Sequence, residues 1–161
     1  MALGGAITVA TLAAAWSVGD YRDLADRLMV AATAGAIVAA WLAAAIARVA
    51  FLRFTSPTGI DGAAVESEEP PDLRMARAIL SNTLEQMALA LPACLAVAVL
   101  IDSGGAVIAA LAGLFSAGRL LFWSGYAEGG PARALGFALT SYPSVVALAG
   151  VLATVLLRAI S

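Results

Sequence analysis

Long apolar stretches with almost no charge recur along this chain, and they constrain its fold more than any other feature. The four longest cover residues 28–52, 73–101, 106–126 and 132–157. A helix needs about 20 mainly apolar residues to cross the hydrocarbon core of a bilayer. Backbone polar groups find no water partners there, so a single segment can cross only as a helix. The sequence therefore predicts an all-α transmembrane four-helix bundle.

The composition supports one integral membrane domain covering residues 1–161. Hydrophobic residues make up 62% of the chain and charged residues only 12%, with a mean hydropathy of +0.95. Soluble domains are about one quarter charged. The absence of His excludes a His-based catalytic triad, and the single Cys94 excludes a zinc cluster, so we expect no metal site. We expect membrane lipid, and no nucleic acid, as a partner.

The N-terminal residues 2–18 form a shorter apolar segment, rich in Ala and Gly. We expect an additional N-terminal apolar helix that spans the membrane or inserts partway. A cleaved signal peptide is the alternative, although no positively charged residues precede the apolar stretch.

Arginines cluster on one side of the predicted bundle. Residues 54–72 form the only long polar segment, and the turn near Pro131 lies on the same side if the helices alternate in direction. Arginine-rich loops stay in the cytoplasm, so we expect the 54–72 loop to be cytoplasmic. The arginines on this side are Arg48, Arg53, Arg74, Arg77 and Arg133.

Two charged residues, Glu85 and Arg119, lie inside predicted spans. An ionised side chain in hydrocarbon costs roughly 2.5–3.5 kcal/mol even on the most permissive scales. The tight turn at Asp102 makes the two spans antiparallel neighbours, and both charges lie nearer the arginine-rich side. A Glu85–Arg119 pair is therefore feasible.

Two interpretations of these charges follow. A purely structural Glu85–Arg119 pair in a non-catalytic membrane protein would fix helix register, as polar residues do in membranes. Alternatively, a polar pocket open to the cytoplasm binds an anionic or zwitterionic ligand. The surplus of nearby polar groups favours the pocket, because arginine forms bidentate bonds with carboxylates. A channel or transporter is less favoured, because the charges gather at one membrane face.

Several short motifs, taken in order, resemble the MAPEG family of membrane-associated proteins in eicosanoid and glutathione metabolism. They are Asn82-Thr83-Leu84-Glu85, Gly118-Arg119, Gly125-Tyr126 and Arg133-Ala134-Leu135-Gly136-Phe137. The resemblance covers most of the chain from about Arg48 onward and suggests a bacterial-type member in the inner membrane.

The resemblance implies a homotrimer of four-helix protomers with glutathione as cosubstrate, bound between protomers near the cytoplasmic face. The expected activity is a glutathione-dependent transferase or peroxidase acting on lipophilic electrophiles or peroxides. Arg133 matches the arginine that activates the thiol. Residues matching the glutathione-binding positions are Asn82, Glu85, Arg119 and Tyr126, with Arg48 or Arg53 near the ligand.

Three positions differ from the family pattern. Ala78 replaces an arginine usually found four residues before the Asn, and Arg77, one residue away, is the nearest substitute. Phe122 stands where several members have Tyr or His. Gln86 stands where the leukotriene-synthesising branch has Tyr.

Overall fold

The computed structural model describes residues 2–19, 23–55 and 69–161. These residues form five helices: α1 (Ala2–Ser17), α2 (Leu24–Thr55), α3 (Pro71–Leu100), α4 (Gly105–Ser124) and α5 (Gly130–Ile160). The last four are long and apolar enough to cross a membrane, and α1 is a shorter apolar helix. The predicted all-helical architecture with an additional N-terminal helix is confirmed.

Local chemistry explains why several helix ends differ from the predicted ones. Helix α2 begins four residues early, because the Asp23 carboxylate accepts a hydrogen bond of 2.8 Å from the backbone N–H of Asp26 and so caps the first turn. Helix α3 begins at Pro71, a residue suited to a first helical turn. Four residues of the predicted 54–72 loop are therefore helical, at 54–55 and 71–72, and residues 56–68 lie outside the described part.

The end of α4 matters most for the site. The helix stops at Ser124, where the backbone N–H of Gly125 donates to the carbonyl oxygen of Leu121 at 3.1 Å. Tyr126, predicted to end this span, therefore lies in the turn between α4 and α5. Helix α5 continues past residue 157 to Ile160.

Helix α1 lies alongside α5 and runs in the same direction. At its start Gly4 packs against Ala138. At its other end Leu12 and Trp16 line an apolar cavity of about 190 Å³ together with Thr154 and other residues of α3, α4 and α5. The five helices therefore alternate in direction along the chain.

Helices α4 and α5 cross at two glycines. A Cβ on Gly118 would lie 2.7 Å from Cγ2 of Thr140 and 2.8 Å from the carbonyl oxygen of Gly136. A Cβ on Gly136 would likewise collide with the backbone of Phe122. Small residues allow such close approach in membranes, and this crossing brings Thr140 beside the polar residues of α4. Gly113 has no such neighbour within 4 Å.

At the other end of the bundle, Arg27 ties α2 to the turn between α3 and α4. Its Nη1 donates to the carbonyl oxygen of Ile101 at 2.7 Å and to the Asp102 carboxylate at 2.9 Å. The Arg27 side chain is 7% exposed, whereas that of Asp102 is 76% exposed. This contact fixes the end of the bundle opposite the arginine-rich side.

Candidate functional site

Arg119 is the centre of a polar cluster inside the bundle and is fully buried. Its Nη1 donates to Oδ1 of Asn82 at 2.9 Å and to Oγ1 of Thr83 at 3.3 Å. Its Nη2 donates to Oγ1 of Thr140 at 2.8 Å. Neutral oxygens from α3 and α5 therefore accept the hydrogen bonds of the guanidinium, and none of these partners among the described residues is a carboxylate.

The predicted Glu85–Arg119 pair is wrong. Glu85 is exposed on the outer surface of the helix bundle, and its side-chain contact is a 3.4 Å hydrogen bond from Ser81. Successive residues of a helix turn by about 100°. The buried side of α3 in this turn carries Thr83 and Gln86, so Glu85, about 200° from Thr83, points outward. Ion pairs among the described residues join Arg27 to Asp102 and Arg77 to Glu69.

Asn82 lies between the buried Arg119 and the surface of the bundle. It is half-buried, one turn before Glu85 on α3, and its side-chain oxygen contacts Arg119. The depth matching of α3 and α4 expected from the sequence is therefore correct, although the partner of Arg119 is Asn82 and not Glu85.

A series of aromatic and cationic groups runs from Arg119 to the end of the bundle. The Arg119 guanidinium lies 4.5 Å from the ring centroid of Phe122. The Phe122 and Tyr126 rings meet edge to face with centroids 5.3 Å apart. The guanidinium of Arg133, at the start of α5, lies 4.4 Å from the Tyr126 centroid. These contacts join the predicted site residues Arg119, Tyr126 and Arg133 into one continuous structure.

Three predicted ligand-binding arginines lie apart from this series. Arg77 forms an ion pair of 3.0 Å with Glu69. Arg48 is exposed and lines a groove of about 550 Å³ between α2 and α3, together with Asp72 and Trp123. Arg53 is exposed in the last turn of α2. In the part of the chain described, none of the three contacts Asn82, Tyr126 or Arg133 through a hydrogen bond or ion pair.

Sequence reasoning missed four neutral residues in the polar interior. Thr83 and Thr140 bind Arg119, and Gln86 accepts a hydrogen bond of 2.8 Å from Ser141. The spacing of Thr140 four residues after Gly136 was an available signal, because it places both on the face that meets α4. Neutral Thr and Ser are common in spanning helices, so this signal is weak.

The described residues contain no group of three or more His, Cys, Asp or Glu side chains placed to hold a metal ion. Cys94 is a buried free thiol. The described residues bring arginine, amide, carboxylate and phenol groups to this site.

Comparison with known proteins gives one family. The sequence model of the MAPEG family matches residues 28–154. The match includes Asn82, Arg119, Phe122, Tyr126 and Arg133, and it leaves α1 outside. No curated protein and no solved structure matches the chain.

Proposed function

The chain belongs to the MAPEG family, and from this we propose that it is a glutathione-dependent membrane transferase or peroxidase acting on lipophilic electrophiles or peroxides. Many members of the family are glutathione-dependent enzymes. We further propose that the protein is a homotrimer in a bacterial inner membrane, with the arginine-rich end facing the cytoplasm.

The observation that carries this proposal is the position of Glu85. Its carboxylate lies on the outer surface of α3, within a helix suited to cross the membrane. Charged residues in spans rarely face lipid, because the cost is several kcal/mol. A second copy of the chain covering this face, with a ligand between the two copies, removes that cost. The half-buried Asn82 opens onto the same surface.

The charges of the site match glutathione, which carries two carboxylates, one ammonium and a thiol. Glu85 supplies an anion for the ammonium, and the Asn82 amide and the arginines supply donors for the carboxylates. Arg133 forms no ion pair with any described residue, so its cation is available to a ligand. Glutathione therefore fits the groups that this chain provides.

In the proposed mechanism, the Arg133 cation stabilises the ionised thiol of the bound glutathione. A thiol has a pKa of about 8.5 in water, and a neighbouring cation favours the nucleophilic thiolate. Glutathione supplies that nucleophile for attack on an electrophile arriving from the bilayer. Tyr126 holds the Arg133 guanidinium against its ring, and Asn82 and Glu85 orient the peptide.

The first test is thermal unfolding of the detergent-solubilised protein with glutathione. We expect millimolar glutathione to raise the midpoint, because a ligand that binds only the folded state stabilises it. The Glu85→Gln variant should lose most of this shift, whereas Glu128→Gln, in the turn before α5, should keep it. A well-folded trimer with no shift would contradict the proposal.

The second test concerns catalysis. Replacing Arg133 with Leu should abolish conjugation of a generic electrophile while leaving oligomeric assembly intact. The matched control is Arg158→Leu, at the opposite end of α5. Unchanged turnover in the Arg133 variant would refute its role.

One observation favours a second candidate, a non-catalytic membrane protein whose polar cluster is architectural. Arg119 is fully buried, and three neutral partners hold it without any ligand. In that case glutathione leaves the unfolding midpoint unchanged in the wild-type protein, and the same experiment separates the two candidates.

A further inference from the structure

Among the described residues, Arg27 and Arg119 are the two buried arginines, and they use their hydrogen bonds differently. Arg27 donates to a backbone carbonyl and to a carboxylate at one end of the bundle. Arg119 donates only to neutral side chains. Thr83 and Thr140 are fully buried, so Asn82 is the one partner of Arg119 that reaches the protomer surface.

The contact with Arg119 fixes which way the Asn82 amide points. An asparagine side chain has one acceptor oxygen and one nitrogen that carries two donors. The guanidinium has donors only, so the Asn82 oxygen must face it. Rotating the amide by 180° would bring its N–H donors against a buried cation. The Asn82 N–H groups are therefore left on the side away from Arg119.

We infer that Arg119 is a positioning residue that acts on the ligand through Asn82, by holding the amide so that its N–H donors face outward beside Glu85. This inference rests on the proposed function, and it replaces direct contact between Arg119 and glutathione. It also gives the Asn82 amide and the Glu85 carboxylate opposite hydrogen-bonding roles toward the ligand. Asn82 donates to a carboxylate of the peptide, and Glu85, one turn further along, accepts from its ammonium.

The test is a double-mutant cycle on glutathione affinity, measured by titration of the solubilised protein. Arg119→Gln and Asn82→Ala should each weaken binding roughly ten- to a hundredfold, which is typical for losing a hydrogen bond to a charged group. The double variant should bind no more weakly than Asn82→Ala alone. Losses that add in the double variant would overturn the inference, because Arg119 would then act independently of Asn82.

Two further variants separate positioning from a merely structural role. Arg27→Met removes the buried arginine at the opposite end of the bundle, away from Asn82, so it should lower the unfolding midpoint and keep glutathione affinity. Asn82→Asp keeps an oxygen for Arg119 and turns a second acceptor outward. It also places a second carboxylate one turn from Glu85, so the variant should bind glutathione at least tenfold more weakly.

The outcomes distinguish this inference from the proposed function. If the wild-type protein binds no glutathione, the proposed function fails. The ligand-free unfolding midpoints of Arg119→Gln, Asn82→Ala and the double variant then still report whether the two side chains are coupled, and losses that add would overturn the contact on which the inference rests. If the wild-type protein binds glutathione and Asn82→Asp binds equally well, the outward donor has no role and the inference alone fails.

Discussion

Arg133 holds its guanidinium over the face of Tyr126, 4.4 Å from the ring centroid. Both residues are half-buried at the end of the bundle, one in the turn after α4 and the other in the first turn of α5. A cation over an aromatic ring gains about 0.5–2 kcal/mol, depending on how far it is desolvated. The ring of Tyr126, independently of its hydroxyl, therefore restrains the position of the cation that we propose for thiol activation.

This relationship predicts a difference between two substitutions of Tyr126. Tyr126→Phe keeps the ring, so conjugation turnover should fall less than about threefold, whereas Tyr126→Leu removes it and should cost about tenfold or more. Steady-state kinetics with glutathione and a generic electrophile would measure both. If the Phe variant is as impaired as the Leu variant, the hydroxyl carries the role and not the ring.

Stability should depend on the crossing of α4 and α5. Gly118→Ala and Gly136→Ala force a methyl group into space already filled by the facing helix, which would separate Arg119 from Thr140. Overpacking of this kind typically costs about 1–3 kcal/mol, so thermal unfolding in detergent should show clearly lower midpoints. Gly113→Ala, on the same helix with no neighbour within 4 Å, is the matched control. Equal midpoints for all three variants would refute the crossing.

The contact at the opposite end of the bundle predicts an asymmetry between its two partners. Arg27→Met removes two hydrogen bonds, to the Ile101 carbonyl and to Asp102. The Ile101 carbonyl keeps the backbone N–H of Gly104 at 3.1 Å, so the cost is that of the two lost bonds, about 1–3 kcal/mol. Asp102→Asn should cost less than about 1 kcal/mol, because Asp102 is 76% exposed and exposed ion pairs contribute little. Thermal unfolding can compare the two, and neither change should affect glutathione affinity. A larger loss from Asp102→Asn would mean that the carboxylate anchors this end.

The spanning helices were predictable because mean hydropathy is averaged over about 20 residues. Hydropathy located all four, and the errors lie at the helix ends, some of which a local group decides, as with Asp23 before α2 and Gly125 after α4. Tyr126 illustrates the limit. The predicted span 106–126 includes it, but the helix ends at Ser124, and its ring still meets Phe122.

The contacts of Arg119 were less predictable than its depth in the bundle. Helical spacing grouped Asn82 with Glu85 and set the depth of Arg119 correctly. It did not show which side of α3 meets α4, because a long span is apolar on every side. The true partners, Thr83 and Thr140, are neutral and carry little signal. The charge of Arg119 led us to expect an oppositely charged partner, whereas its hydrogen-bond partners are an amide and two hydroxyls.

Helix α1 has a topological consequence. A bundle of four helices that alternate in direction has its first and last residues at the same end. A fifth alternating helix places them at opposite ends. Because α1 lies beside α5 and runs in the same direction, Ala2 and Ile160 lie at opposite ends of the bundle. We propose that α1 crosses the bilayer, so that reporter domains fused before Ala2 and after Ile160 face different compartments and removal of residues 2–17 brings the two reporters into the same one.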